Sequence, residues 1–341
     1  MTEPQLAEAG PLPERFAREI LPYFPSPLKN WLAGLSQETL RQLEEIRLRV
    51  HRPIICQVGG RSAWLNDRGQ LVALRTGTPF LLCLELMQKV VALISQSSLY
   101  ALETELSQGY LTLKGGHRVG FTGEAILHRG KITGMKHLSS LNFRIARQIP
   151  GAADGLVRTL IDETGDRIYH TLIISPPRAG KTTILRDLVR QISDGIPGLW
   201  SGATVGLEDE RSEIAGSYQG IPQLDIGMRT DVLDGCPKAE GMLLLLRSMS
   251  PQVIAVDELG RKEDIDALLE MLNAGVSVIA TVHGSSASEL QQRPHLGSLI
   301  KDRVFERLVI LSRRLGPGTI EKIYRGDLTA VVSPKPEVKT N

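Results

Sequence analysis

The chain has 341 residues, 42% hydrophobic and 23% charged, the balance of a globular protein of about two domains. Lys and Arg total 40 against 38 Asp and Glu, a net charge of +2, which speaks against a whole-chain nucleic-acid footprint and against an acidic tail. The three cysteines, Cys56, Cys83 and Cys236, show no C-x-x-C spacing, which speaks against a disulfide framework or zinc knuckle and fits a reducing compartment.

The N-terminus carries acids and prolines and does not read as a secretory signal. No apolar run reaches the roughly 18 residues of a membrane span, so a cytoplasmic location is expected. Residues 1–10 are expected to fray. Over 15–35 the apolar residues Phe16, Ile20, Leu21, Phe24, Leu28, Trp31 and Leu32 are interrupted by Pro22, Pro25 and Pro27, which predicts two short helices. This helical cap, over 1–40, reads either as a lid on a domain or as a contact for a partner or membrane surface.

Residues 46–50 alternate with period two, as a half-buried strand does. A second strand is predicted over 54–58, with Gly59-Gly60 as a turn. Helices are predicted over 79–96 and 98–108. Strands over 110–113 and 118–122 form a hairpin around Lys114-Gly115-Gly116-His117, and one more strand covers 139–146. Residues 41–150 thus read as an α+β domain, closed by Pro150-Gly151-Ala152-Ala153. Beyond that boundary, strands over 169–174, 203–208, 253–256 and 276–281 alternate with helices over 183–193, 239–249 and 262–273. Such alternation implies an α/β domain over 151–335, a parallel sheet covered by helices.

The most informative stretch is the strand ending at Ser175, then Pro176-Pro177-Arg178-Ala179-Gly180-Lys181-Thr182-Thr183. Ile184, Leu185, Leu188, Val189 and Ile192 lie on one face of the helix that follows. Strand, loop and helix are the setting in which Gly-Lys-Thr binds a triphosphate. Gly180 lets the backbone approach phosphate oxygens. The amides opening the helix, and its dipole, favour an anion. Lys181 would reach the β- and γ-phosphates, Thr182 would ligate Mg²⁺, and Thr183 would contact the α-phosphate. Ser175 stands where the pattern G-x-x-x-x-G-K-[ST] has its first glycine, and it is expected to alter the start of the loop.

Three further segments deliver polar residues at strand ends. Asp257-Glu258 follows an apolar strand, where an aspartate can hold the Mg²⁺ water shell and a glutamate can deprotonate the attacking water. A solvated strand end is the alternative. Glu208-Asp209-Glu210-Arg211 reads either as a solvated turn or as a second carboxylate site near the γ-phosphate. His283 is either structural or a sensor of the γ-phosphate.

The order SPPRAGKTT, LEDERSEIAG, VIAVDELGR, ATVHG resembles the secretion-ATPase branch of the RecA-like P-loop proteins, as Walker A, Asp box, Walker B and His box. EEIRLRVHRP, GGHRVGFTGE, SLNFRIARQI and ERSEIAGSYQGIPQLDIGMRTDVLDGCPKAEGM resemble the stage III sporulation protein AA family, over roughly 40–330. The resemblance implies a RecA-like ATPase domain with a mainly parallel sheet, binding ATP and Mg²⁺. It implies a homo-oligomer, a hexameric ring with ATP between subunits, to which Arg144 and Arg147 contribute; an ordinary basic strand edge is the other reading of that pair. Glu208 and Glu258 become the acids around the attacking water, and Arg247 and Arg261 flank the Walker B strand. In biological terms it implies a mother-cell ATPase energising a mother cell–forespore channel complex of membrane proteins during endospore formation.

A nucleic-acid-dependent P-loop ATPase is the alternative. The near-neutral charge and the few residues after Tyr324-Arg325-Gly326-Asp327 make nucleic acid the less expected partner. A nucleotide-binding scaffold with little turnover is the third reading, with Ser175 as its support.

Overall fold

The computed structural model describes residues 12–95 and 109–331 and divides into two compact units, Met1–Arg147 and Gln148–Asn341. The helix expected over 98–108 lies outside the described residues, as do residues 1–10, for which fraying is the expectation.

The N-terminal unit begins with α1 (Leu12–Glu19), α2 (Leu28–Ala33) and α3 (Gln37–Gln42), with a single 3-10 turn at Leu21–Tyr23 where Pro22 interrupts. There follow β1 (Leu43–Arg49), β2 (Ile55–Val58), β3 (Arg61–Leu65), β4 (Leu71–Ala73), α4 (Leu84–Ile94), β5 (Tyr110–Thr112), β6 (Arg118–His128) and β7 (Lys131–Arg144). These strands form one sheet of order β4-β3-β2-β1-β7-β6-β5, antiparallel at every pairing. The alternation in β1 has its predicted cause: Ile46 and Leu48 are buried and Ile46 faces Phe143 across the sheet. β6 and β7 are longer than expected because their outer halves are mostly exposed and carry no alternating pattern. Phe16, Ile20, Phe24, Leu28 and Leu32 join Leu43, Phe121 and Phe143 in one core, with Phe24 and Phe143 rings 4.7 Å apart.

A buried polar knot ties α1 to the β5–β6 turn. Arg15 bonds Glu19 at 3.0 Å and the Gly115 carbonyl at 2.9 Å. His117 Nδ1 accepts the Ala146 N–H at 3.0 Å, so its Nε2 carries the proton and donates to Glu19 at 3.2 Å. Burial works against the charge on Glu19, but hydrogen bonds from His117 and Arg18 and the charge of Arg15 outweigh it and hold the carboxyl at about 2.

The C-terminal unit contains α5 (Asp154–Val157), β8 (Thr171–Ser175), α6 (Lys181–Asp194), β9 (Val205–Asp209), β10 (Thr230–Asp234), α7 (Lys238–Met249), β11 (Val253–Val256), α8 (Lys262–Asn273), β12 (Ser277–His283), α9 (Ala287–Leu290), α10 (Leu296–Lys301), β13 (Arg307–Ser312) and β14 (Thr319–Arg325). The sheet order is β10-β9-β11-β12-β8-β13-β14, parallel except for β14 at one edge. In space β12 separates the P-loop strand β8 from β11; β9, which lies between them in sequence, is on the far side of β11. This is the RecA-like arrangement. Alternate strand residues feed two cores: Ile173, Leu207, Ala255 and Ile279 pack with α6, whereas Leu172, Ile254, Val256 and Val278 pack with α7 and α8. The five apolar positions predicted for α6 are all buried. Among the described residues no helix is long and apolar enough to cross a membrane.

The charged form of Glu19 favours the folded state, so its contribution is fully present above its ordinary pKa of 4.5 and fades as pH falls towards 2. Denaturant midpoints of the full chain measured across that window should fall with pH by the equivalent of about 3 kcal/mol, and Glu19→Gln should flatten the fall.

Candidate functional site

All five residues of β8 are buried, and the strand delivers the chain into the loop that ends at Gly180. Ser175 is the last strand residue, level with His283 of β12, and its hydroxyl donates to the Pro176 carbonyl at 3.0 Å. The left-handed conformations lie further on, at Arg178 (φ 59°) and Gly180 (φ 88°). Ser175 itself therefore needs no glycine. At Gly180 a Cβ would stand 2.7 Å from the Gly318 nitrogen. The Gly318 N–H donates to the Ala179 carbonyl at 2.8 Å, so the β13–β14 turn holds the loop. Gly180 offers no side chain to cap the amides opening α6, which leaves them for an anion. Thr183 stands in the first turn of α6, beside a cleft shared with Arg186 and Asp187.

Lys181 is buried, and its Nζ donates to Asp257 Oδ1 at 2.9 Å and Glu258 Oε1 at 2.8 Å. Thr182 Oγ1 donates to Asp257 Oδ2 at 3.3 Å. The Thr281 hydroxyl bonds Asp257 and accepts the Glu258 N–H at 3.0 Å. His283 Nε2 donates to Glu258 Oε1 at 2.9 Å, and an Arg211 nitrogen lies 3.5 Å from Oε2. Glu258 has φ 56°, a left-handed backbone that costs an L residue about 1–2 kcal/mol. Burial opposes charge on Lys181, but Asp257 and Glu258 outweigh it and raise its pKa. Burial also opposes charge on Glu258, and Lys181, His283 and Arg211 together overcome it, so its pKa is lowered.

The Thr182 hydroxyl and Asp257 carboxylate are adjacent hard oxygen donors, the set that suits Mg²⁺. Among the described residues no group of three or more His, Cys, Asp or Glu could hold a metal. Mg²⁺ needs no such cage, because it keeps waters and takes phosphate oxygens.

The other expected residues lie elsewhere. Glu208 ends up level with Val256, but its carboxyl is fully buried, with Cys236 Sγ 4.0 Å from Oε1 and no hydrogen-bond partner for Oε2. Burial pushes its pKa up to about 8, so it is uncharged at neutral pH. It makes no hydrogen bond with Lys181 or Glu258. Asp209 instead secures the following loop by accepting the N–H groups of Glu213, Ile214 and Ala215 at 2.9, 3.0 and 2.8 Å. Arg144 and Arg147 belong to the N-terminal unit. There Arg144 lies 3.7 Å from Glu45, and Arg147 donates to the Leu43 carbonyl at 2.6 Å.

Thr281 and Gly318 escaped the sequence reading. Thr281 left a signal: it is a fully buried polar residue in an apolar strand, two positions before His283 and so on the same face.

The family described as Sporulation stage III, protein AA matches residues 19–330. The chain belongs to this family. It is 44% identical over 309 residues to the Stage III sporulation protein AA of Bacillus subtilis (strain 168), covering 91% of this chain and 95% of that protein. A protein of Porphyra purpurea, ycf45, is 30% identical over 192 residues, 54% of this chain and 31% of its own length. Among solved structures, the Legionella pneumophila ATPase DotB is similar at 18% identity and a TM-score of 0.49, covering 78% of this chain and 71% of DotB. Within this stage III sporulation AA chain, the Lys181 cluster draws on residues 181–283, inside the matched span.

Gly180→Ala should destabilise the C-terminal unit by about 2 kcal/mol, because it combines a left-handed backbone with a backbone clash at Gly318. Denaturant unfolding against the parent measures the loss.

Proposed function

We propose that this member of the stage III sporulation AA family is a Mg²⁺-dependent ATPase that works as an assembly or secretion-type motor for a mother cell–forespore channel. The observation that carries the reading is the convergence of Lys181, Thr182, Asp257 and Glu258 at the carboxyl edge of a parallel sheet, where ligands of open α/β sheets bind. The loop from Ser175 to Gly180 and the amides opening α6 bind the phosphates, with Lys181 on the β- and γ-phosphates and Thr183 near the α-phosphate. Thr182 and Asp257 would hold Mg²⁺, which when bound offsets the charge of the phosphate oxygens.

Glu258 is the proton acceptor. A water oxygen bonds to the γ-phosphorus, its proton passes to the Glu258 carboxylate, and the β–γ bridging P–O bond breaks with its electron pair leaving on ADP. Lys181 is now shared between the two acids. A triphosphate competes for that ammonium, and Glu258 then loses its lysine hydrogen bond and becomes a stronger base. His283, on the same carboxylate oxygen, is placed to register the exchange. Glu208 serves as an uncharged, buried group at the adjoining strand end.

The working form is a homo-oligomer, a hexameric ring, in which Arg144 and Arg147 of one copy serve a neighbour's nucleotide. It acts on the cytoplasmic, mother-cell side and reaches the membrane through protein partners.

Lys181→Ala should weaken binding of a fluorescent ATP analogue by about a hundredfold, from loss of a charge-assisted phosphate contact. Glu258→Gln should keep binding while turnover falls by about 10²–10³-fold in a phosphate-release assay. Undiminished turnover in that variant would remove Glu258 from its role. Mass measurement with ATP–Mg²⁺ should show the oligomer, and Arg144→Ala with Arg147→Ala should lower turnover by at least about tenfold without loss of nucleotide binding. Full turnover by isolated monomers would contradict the arginine assignment.

A further inference from the structure

We infer that Lys238 is a positioning residue for Glu258, acting through that residue's main chain. The inference rests on the reading of Glu258 as proton acceptor.

Lys238 is the first residue of α7, directly after the capping Pro237. A cation in the first turn opposes the helix dipole. It is also 7% exposed, so it has given up most of its hydration. Neither placement helps the helix, and both are accounted for by what the amine touches. Its Nζ donates to the Glu258 carbonyl oxygen at 3.1 Å and to Glu210 Oε2 at 3.2 Å. One lysine therefore links the residue after β9, the start of α7 and the second residue after β11.

The contact matters because of the backbone it grips. Glu258 is held at φ 56°, where an L residue stays only if its surroundings fix it. On the amino side its N–H is fixed by Thr281 Oγ1. On the carboxyl side its carbonyl is fixed by Lys238. The two peptide planes flanking the Cα set the direction of the Cα–Cβ bond, and so the aim of the carboxylate towards Lys181 and His283. The same peptide is held from its nitrogen side by the Leu259 N–H, which donates to the Thr281 carbonyl at 2.9 Å; without the lysine it keeps that bond but loses the one on its carbonyl, so the residue is less firmly fixed against the right-handed region and the carboxylate drifts from the line of the attacking water. Glu210 completes the device by balancing the ammonium, a task the uncharged Glu208 nearby cannot perform.

The test uses the full chain and compares the parent, Lys238→Met, Glu258→Gln and the double variant. Lys238→Met should lower kcat by about tenfold or more while KM and the affinity for the ATP analogue stay within about threefold. In the Glu258→Gln background the same change should have little further effect on the residual rate, because the lysine acts through that carboxylate. Losses that multiply in the double variant, or an unchanged kcat in the single one, overturn the proposal. If Lys238→Met does not fold, the comparison passes to Lys238→Arg, whose planar fork reproduces the two contacts imperfectly. A kcat loss of about three- to fivefold is expected there, and the parent's rate would overturn the proposal. The two claims fail separately: if Glu258→Gln itself turns over at the parent's rate, the reading of Glu258 falls. If Glu258→Gln is inactive and Lys238→Met is not impaired, only the lysine's role falls.

Discussion

A single ammonium group, that of Lys181, lies between the carboxylates of Asp257 and Glu258, and the strand ends of the C-terminal unit are arranged around that contact. Val256 is level with Ala280 of β12, which places Asp257 beside Thr281, and His283 is level with Ser175, which places it where the phosphate loop begins. A slip of one residue in the β11–β12 register would turn every side chain to the opposite face and separate these groups. The register is held by the two cores, since alternate residues of the same strands are buried against different helices. Lys181 and both acids are less than a third exposed, so removing the lysine leaves two neighbouring carboxylates without their shared cation, at a cost of about 3–5 kcal/mol. The pairing is therefore stringent about geometry even where its net contribution to stability is small.

Two left-handed non-glycine residues, Arg178 and Glu258, stand at the same point. Arg178, Gly180 and Glu258 all have positive φ, and each is held by a specific neighbour or stands beside one that is. The Gly318 amide grips Ala179, Thr281 grips the Glu258 N–H, and Lys238 grips its carbonyl. A left-handed residue relaxes unless tertiary contacts over-determine it. The β13–β14 turn and α7 supply two of those contacts from outside the Walker A and Walker B segments, and Thr281 supplies the third from within the ATVHG segment of β12.

That division explains what could be read in advance. The β8–loop–α6 segment was legible because it pairs an apolar run with Gly-Lys-Thr and a helical stripe, all local signals. The bounds of β11 and α8 were read to the residue for the same reason. β3, β4, β10, β13 and β14 were not read; β10 is half-buried throughout and carries two aspartates, so it offers neither alternation nor an apolar run. Glu208 shows the limit more sharply. Its position at a carboxyl strand end was correct, but position does not fix direction: its side chain meets Cys236 and would meet any Cβ at Gly241, on the side of α7. Thr281 and Lys238 depend on partners 23 and 20 residues away, a relation no local pattern encodes.

The same geometry bears on when the site is reactive. With Lys181 on both acids, Glu258 is ionised but tied down, because a carboxylate accepting from an ammonium and an imidazole is a weak base. In the proposed mechanism a triphosphate at the loop would change two things together: it would give the lysine a more highly charged partner, and it would remove from Glu258 the cation that most lowered its basicity. Lys238 contacts the Glu258 main chain rather than its carboxylate, so it can keep the residue aimed while the side chain's partners change. In that mechanism activation of Glu258 would be coupled to arrival of substrate, and its orientation would stay independent of it.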